Sequence, residues 1–272
     1  MKRTVFILGV ILSFNANASL NGDCGAFDEK TQTYDDCHWS LDDVGNLKIW
    51  GTGNMADYTI YEDKNIWWRT NAPWADYFST IKNVVVENGI KNIGEAAFYN
   101  SEILNIKLPY TVETIGNNAF QGSRLLKNID IPESVTKIGD AAFNNSGLES
   151  IVIPNAVTLL GVHSLSENSN LHTIVMGDKV TEIDPKALAD ISPNSIIYCT
   201  GDINICKSNV GTVFADRVKQ ASKRQINGVT YVYDKNGKLV ISSGHRREKR
   251  IYTIDEANAV AGEKNRLSIT YR

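Results

Sequence analysis

Apolar and polar positions in the middle of the chain follow one pattern that returns at an almost constant interval. A large aliphatic residue fills the same place in five successive copies, which are Ile93, Ile115, Ile138, Leu160 and Ile183, so the interval is 22 or 23 residues. A fixed period of this length is typical of a solenoid, in which each repeat stacks on the previous one and buries a shared apolar face. We therefore predict a stack of repeats over residues 81–206.

A second apolar position lies between these copies and alternates with polar neighbours. It is filled by Ile106, Ile129, Ile151 and Ile174, with related positions at Val84 and Ile197. Alternation with a period of two is the pattern of a strand, so each copy predicts one short β-strand, and equivalent strands predict a parallel sheet along the solenoid. Prolines follow three of these strands, where proline ends the ladder.

Each copy continues with a turn and a segment that we predict to be a short helix. In the first three copies this segment carries an alanine for close packing and a phenylalanine for the core, which are Ala97 and Phe98, Ala119 and Phe120, and Ala142 and Phe143. Leu165 and Leu188 take the place of phenylalanine in the last two copies. The predicted fold class is an α/β solenoid, and no residue of the repeat needs a chemical role.

Two stretches of the repeat, LPYTVETIGNNAFQGS and IPESVTKIGDAAFNNSGLESIVIP, resemble the BspA-like leucine-rich repeats of bacterial surface antigens. The preceding WSLDDVGNLKIWGTGNMADY is similar to the entry region of such proteins, so the resemblance covers roughly residues 24–200. It implies a leucine-rich repeat with a parallel sheet, in a surface or secreted protein implicated in adhesion and protein binding. The later copies depart from the family pattern, with Asp184 in place of glycine and Gly177 in place of proline.

The N-terminal part, residues 19–80, is predicted to be a β-rich cap that covers the first repeat. Residues 38–58 read as a hairpin with Trp39, Leu41, Leu47 and Ile49 on one side. Three tryptophans follow, Trp67, Trp68 and Trp74. They have two interpretations, namely packing within the cap or an aromatic platform on which sugars stack.

The first 18 residues read as a secretory signal peptide. A basic start precedes an apolar run of about a dozen residues, and Ala16-Asn17-Ala18 supplies small residues for cleavage. The run is shorter than the roughly 20 residues of a spanning helix, and we predict no transmembrane segment elsewhere. The mature protein is expected to be secreted, periplasmic or attached to the cell surface.

The four cysteines are even in number, as disulfides in an exported protein require. Three connectivities are possible, and we favour the local pairs Cys24–Cys37 and Cys199–Cys206, one at each end of the repeats. A metal site is the weaker interpretation because the cysteines have no metal-ligand spacing. We predict no metal and no cofactor.

Residues 207–272 differ from the repeats in charge. They carry 14 basic and 6 acidic residues, a net charge of +8, whereas residues 19–206 carry 12 basic and 25 acidic residues, a net charge of −13. We predict a small basic α+β module here, with a hairpin that turns at Asn236-Gly237. The stretch HRREKR, residues 245–250, is either a solvated loop or a contact for an acidic partner, such as a neighbouring solenoid, lipopolysaccharide or acidic glycan. Nucleic acid is not an expected partner of an exported protein.

No catalytic motif is present in the sequence. HExxH, GxSxG, P-loop and GxGxxG patterns are all absent, and the four histidines show no shared spacing. We therefore predict that the protein is not an enzyme and assign no catalytic residue.

The candidate binding surface is the outward side of the repeat strands. One outward column contains Lys107, Asp130, Val152, Val175 and Tyr198, of which the last three form an apolar strip. Exposed apolar patches are typical of partner sites. The alternative is that the C-terminal module folds over this strip. The leading function is protein binding or adhesion to a protein partner or a host cell-surface ligand, and the alternatives are carbohydrate binding through the tryptophans or a structural surface-layer spacer.

Overall fold

The computed structural model describes residues 20–64, 67–226 and 229–243. The predicted signal peptide, residues 1–18, lies outside these ranges, as do residues 244–272 with the basic stretch 245–250. Within the described residues the chain forms the predicted solenoid, because its repeats stack along one axis and share one apolar core.

Seven strands precede the repeats. They are β1 (Leu20–Asp23), β2 (Phe27–Asp28), β3 (Thr33–Tyr34), β4 (Asp36–Leu41), β5 (Asn46–Thr52), β6 (Ile60–Asp63) and β7 (Trp67–Thr70), with a 3₁₀ helix at Ala75–Tyr77. β4 and β5 form the predicted hairpin, in which Trp39 lies opposite Ile49 and Leu41 lies opposite Leu47. All four side chains are buried, as the alternation of apolar and polar residues requires.

With the exception of the third repeat, each complete repeat contributes one strand to each of two columns that run along the solenoid. In chain order the strands are β8 (Asn83–Val86), β9 (Asn92–Ile93), β10 (Asn105–Lys107), β11 (Thr114–Ile115), β12 (Lys137–Ile138), β13 (Ser150–Val152), β14 (Leu159–Leu160), β15 (Thr173–Met176), β16 (Glu182–Ile183) and β17 (Ile196–Cys199). The first column contains β8, β10, β13, β15 and β17, and the second contains β9, β11, β12, β14 and β16.

The first column confirms the predicted parallel pairing of repeat strands, although it forms two sheets that are separated at the third repeat. β8 pairs in parallel with β10, and β15 pairs in parallel with β13 and β17, in a register that places Ile174 opposite Ile151. The third repeat is an exception, since residues 127–131 form no strand in the described part of the chain. Its Ile129 and Ile131 are nevertheless buried in the core, and nothing in the local sequence explains the missing strand.

The second column was not predicted from the sequence. The aliphatic residues that set the repeat period lie in short strands here, with Ile115 opposite both Ile93 and Ile138 in parallel pairing. Each strand is only two residues long, too short to show the alternation by which strands are recognised in a sequence.

The segments after these strands are turns and not the short helices that we predict from the sequence. Four residues at equivalent places are left-handed, with φ of 51–56°, namely Ala96, Asn118, Ala141 and His163. A left-handed residue interrupts a right-handed helix, and its neighbours bond to the next repeat instead, as when Phe120 donates its backbone N–H to the carbonyl of Ala142 at 2.8 Å. Residues 81–202 contain no helix, so the repeat region is a β solenoid and not an α/β solenoid.

The predicted core phenylalanines form a continuous stack along the solenoid axis. Neighbouring ring centroids are 5.4 Å apart between Phe98 and Phe120 and 5.2 Å apart between Phe120 and Phe143, with interplanar angles of 7° and 3°. Trp74 extends the stack at the N-terminal end, 5.7 Å from Phe98. Because all four side chains are completely buried, this stack forms the continuous centre of the core along the solenoid axis.

The C-terminal end combines one helix with three strands, α1 (Ile203–Val210), β18 (Val218–Ile226), β19 (Val229–Asp234) and β20 (Leu239–Ser243), with a 3₁₀ helix at Ala215–Arg217. The predicted boundary after residue 206 falls inside α1, which begins where the Asp202 side chain accepts hydrogen bonds from the backbone N–H groups of Asn204 and Ile205. β18 pairs in parallel with β17 and therefore continues the repeat sheet. β19 and β20 form the predicted hairpin, with Gly237 in its turn at a φ of 79°.

Candidate functional site

The predicted apolar strip is not an exposed surface. Val152 and Val175 are buried, and Tyr198 is half-buried, because the β19–β20 hairpin packs over them. Val232 on β19 and Ile241 on β20 supply the covering side chains. The strip is therefore part of a second small core, which corrects the assignment of Val152, Val175 and Tyr198 to a binding surface and agrees with the alternative interpretation.

Polar contacts from β20 and from β18 hold the rim of this second core. Ser243 donates its hydroxyl to the Asp130 carboxylate at 2.8 Å, and Lys223 lies 3.6 Å from the Glu133 carboxylate. Burial raises the pKa of Tyr198, and the nearby charge of Asp234 raises it further. Asp130 therefore marks the edge of the covered region.

The first part of the strand face remains uncovered, and we call it the open face. It consists of Asn46, Lys48 and Trp50 on β5, Asn83 and Val85 on β8, and Asn105 and Lys107 on β10. Parallel pairing places Lys48, Val85 and Lys107 side by side in one row across three strands. Among the five predicted residues of the binding column, Lys107 alone belongs to the open face.

An asparagine ladder supports one side of the open face. Asn105 donates its side-chain amide to the Asn83 side chain at 3.0 Å, and Asn83 donates to Asn46 at 3.1 Å. Such a ladder fixes both rotamer and register, because the central Asn83 accepts from one neighbouring strand and donates to the other. Within the open-face row, the Lys48 ammonium group pairs with the Glu87 carboxylate at 3.0 Å. The same ammonium group lies 5.5 Å from the centre of the Trp50 ring.

The sequence analysis missed the contribution of β5 to this face. Asn46, Lys48 and Trp50 alternate with the buried Leu47 and Ile49, so the pattern shows that they point away from the core. The pattern does not show that β5 pairs in parallel with β8 and so joins the repeat sheet. That pairing brings a tryptophan into the same surface as the first repeats.

A histidine next to the open face is held between two carboxylates. His38 Nδ1 lies 2.7 Å from Asp23 and His38 Nε2 lies 2.8 Å from Asp36, while its ring contacts Trp50 at 5.8 Å. The hydrogen bonds to Asp23 and then to Asp36 raise the pKa of His38 above its ordinary value of 6.5. Hydrogen bonds from Thr52 and then His38 lower the pKa of Asp36 below 3.8.

We expect the pKa of His38 to be above 6.5 in the folded protein, because only the imidazolium donates to both carboxylates at once. Because the pKa of His38 is raised in the folded state, its two hydrogen bonds to the carboxylates contribute their full stabilisation below pH 6.5. That stabilisation is lost as the pH rises through the pKa of His38 in the folded protein. Proton NMR of the His38 ring in the native and the urea-unfolded protein measures both values. Asp23→Asn should lower the pKa of His38 in the native protein. A pKa of His38 in the native protein at or below its pKa in the unfolded protein would contradict the prediction.

The three predicted tryptophans do not form a common platform. Trp74 is completely buried, and its indole N–H donates to the carbonyl of Ala97 at 2.8 Å, so it belongs to the core. Trp68 is 50% exposed. The side chain of Trp67 lies outside the described residues.

One of the two predicted disulfides is present. Cys24 and Cys37 are bridged, which joins the segment after β1 to β4. Cys199 and Cys206 are buried free thiols, so the second predicted bridge is not formed in the structure. The two thiols are in contact, since a hydrogen bond from Cys206 lowers the pKa of Cys199 and the same contact raises that of Cys206. The pair links the end of β17 to α1.

In the part of the chain that the structure describes, no helix has the length and apolar character that a membrane span needs.

The repeats match a known family. Residues 76–208 match the BspA type leucine-rich repeat region in six copies. A leucine-rich repeat protein from Eubacterium ventriosum has a solved structure that is 28% identical with a TM-score of 0.52, over 81% of this chain and 49% of that one. No curated protein matches the chain.

Two further solved structures resemble the chain less closely. The pneumococcal vaccine antigen PcpA is 25% identical with a TM-score of 0.41, over 52% of this chain and 34% of that one. A leucine-rich cell surface protein from Faecalibacterium prausnitzii is 22% identical with a TM-score of 0.41, over 76% of this chain and 59% of that one. The chain spans less than two thirds of the length of each of these three proteins. Residues 76–208, which build both strand columns, therefore form a BspA type leucine-rich repeat region.

Proposed function

We propose that this chain is an exported surface protein that binds a protein partner through its open face and so acts as an adhesion or interaction module. The observation that carries the proposal is the row of Lys48, Val85 and Lys107, which lies uncovered across three paired strands. The family supports an interaction role, since solenoids present extended surfaces to their partners.

The composition of the open face fits protein recognition. Val85 is a large aliphatic side chain that is 39% exposed, and Trp50, which is half-buried, supplies part of an aromatic ring. Lysines border this apolar centre on β5 and β10. An apolar or aromatic centre with a polar border is the usual arrangement of a protein interface, and tryptophan is enriched among the residues that dominate its binding energy.

Rigidity of the surface favours binding as well. The asparagine ladder holds β5, β8 and β10 in one register, and the Lys48–Glu87 pair restricts the lysine beside Trp50. A surface that is ordered before binding loses less conformational entropy when a partner docks. The proposed site therefore depends on backbone and side-chain order that exist without a ligand.

Val85→Asp should weaken binding to immobilised extracellular-matrix proteins at least tenfold, because it places a carboxylate at the apolar centre of the contact. A tenfold loss corresponds to about 1.4 kcal/mol. Biolayer interferometry of the mature protein on each purified matrix protein measures the effect.

Val162→Asp is the matched control, since Val162 is 38% exposed in a repeat turn away from the open face, against 39% for Val85. It should bind like the unchanged protein. Equal binding by both variants, or equal loss in both, would show that the open face is not the site.

A further inference from the structure

A groove separate from the open face lies between the N-terminal hairpin and the first three repeats. It has a volume of about 510 Å³. Asp35 and Asn54 line it from the N-terminal side, and Lys91, Tyr110 and Glu113 line it from the repeats. The volume is within the roughly 300–1,000 Å³ that small-molecule sites occupy.

Tyr110 holds a position that serves the structure in the later repeats. There the equivalent side chains form a ladder, in which Glu133 accepts from the backbone N–H of Asn155 at 3.0 Å and Asn155 accepts from that of Asp178 at 3.1 Å. Asp178 in turn accepts from the Thr200 hydroxyl. The stacking of repeats therefore favours a short polar acceptor here, and tyrosine does not provide it.

The Tyr110 ring is available to a ligand. The residue is 73% exposed, and its side chain makes no hydrogen bond or ring contact with the described residues. An aromatic ring in this environment leaves apolar surface in water with no compensating contact inside the protein. A ligand that covered the ring would remove this apolar surface from water.

The polar side chains of the groove are also available. Among the described residues, neither the Glu113 carboxylate nor the Lys91 ammonium has a hydrogen-bond or ion-pair partner. The Asp35 carboxylate accepts one hydrogen bond, from the backbone N–H of Asn54 at 2.9 Å, and keeps further acceptor capacity. The two carboxylates accept hydrogen bonds and the ammonium group donates them, so the groove can bind ligand hydroxyls in either role.

The base of the groove is rigid, because its hydroxyl groups are satisfied within the protein. Thr111 accepts from the backbone N–H of Gly89 at 3.0 Å and donates to the carbonyl of Ile90 at 2.8 Å. Ser134 donates to the carbonyl of Val112 at 2.6 Å. Specificity therefore comes from Tyr110 and the unpaired charged groups above this base.

We propose that the groove binds a neutral oligosaccharide. A sugar ring has an apolar face that stacks on tyrosine and a rim of hydroxyls that donate to carboxylates and accept from an ammonium group. The two carboxylates against one ammonium give the groove a net negative charge, which opposes phosphorylated or sulfated polymers. This site is independent of the open face and does not use the exposed Trp68 at the N-terminal end.

The test is an array of immobilised neutral, sialylated and sulfated oligosaccharides, followed by calorimetric titration of the soluble form of each glycan bound. We expect binding of neutral oligosaccharides that falls at least tenfold in Tyr110→Asn. Asparagine is the residue of the equivalent position in a later repeat, so this variant is expected to keep the fold, which thermal unfolding checks. Glu113→Gln should weaken binding as well, because it removes the charged acceptor.

Trp68→Ala is the control, and it should bind the same glycans with unchanged affinity. Three results overturn the proposal: no neutral glycan is bound, Tyr110→Asn binds as tightly as the unchanged protein, or Trp68→Ala alone loses binding. The third result would return the sugar site to the tryptophans. Since Val85→Asp leaves the groove intact, it should retain glycan binding, which separates this site from the proposed protein interface.

Discussion

Phe120→Ala should lower the free energy of unfolding by about 3–5 kcal/mol, the range for removing a buried aromatic side chain. Phe120 is the central ring of the buried stack and has Phe98 and Phe143 on its two faces at 5.4 and 5.2 Å. Its loss leaves a cavity that backbone pairing with both neighbouring repeats prevents from collapsing. Guanidinium unfolding followed by circular dichroism measures the change.

Two variants calibrate this effect. Phe120→Leu should cost on the order of 1 kcal/mol, because Leu165 and Leu188 fill the same position in later repeats and a near-isosteric apolar change is tolerated. Phe27→Ala, at a ring that is 48% exposed and contacts only Tyr34 among the described rings, should cost no more than about 1.5 kcal/mol. If Phe27→Ala and Phe120→Ala unfold at the same denaturant concentration, the stack is not the centre of the core.

Val175→Asp should release the β19–β20 hairpin from the solenoid. The Val175 side chain is 1% exposed beneath Val232 and Ile241, and an uncompensated buried carboxylate costs about 3–5 kcal/mol. Because the first column remains paired behind it, we expect local detachment before global unfolding. Hydrogen exchange at residues 229–243 should accelerate strongly, while exchange in β8 and β10 stays slow.

The same change at Val85 is the control, since Val85 occupies the same outward column but is exposed. Val85→Asp should leave hydrogen exchange in the hairpin unchanged and alter stability by no more than about 0.5 kcal/mol. If hairpin exchange is as slow in Val175→Asp as in Val85→Asp, the second core does not hold the hairpin in place.

The stacking of repeats could be predicted because it follows from the interval between equivalent apolar residues, which is visible in the sequence. Ile93, Ile115 and Ile138 return at a constant interval, and a single repeat has too few apolar residues to fold alone. The second strand column was missed because each of its strands is only two residues long. The turns after these strands were predicted as helices because they depend on left-handed backbone at Ala96 and Ala141, and alanine gives no signal of that conformation. Asn118 and His163, at the equivalent positions, are residue types that favour it.

The candidate surface was harder to predict than the fold. Alternation shows that Val152 and Val175 point away from the solenoid core, but it does not show whether another part of the chain covers them. That information lies in the hairpin, where Val232 and Ile241 need an apolar partner of their own. Trp74 was similarly ambiguous, because a tryptophan before the first repeat fits both a platform and a core position until its neighbours are known.

The arrangement of strands at the two ends of the first column limits how copies of the protein can assemble. At one end the column continues into β5, β4 and β1, of which β4 runs antiparallel to its neighbours, and at the other into β18 and the returning hairpin. A second molecule that extended the first column with its own repeats would need a free repeat strand at one of these ends, and β8 and β17 are already paired with β5 and β18. Head-to-tail addition of repeats to the outer ends of the first column is therefore blocked.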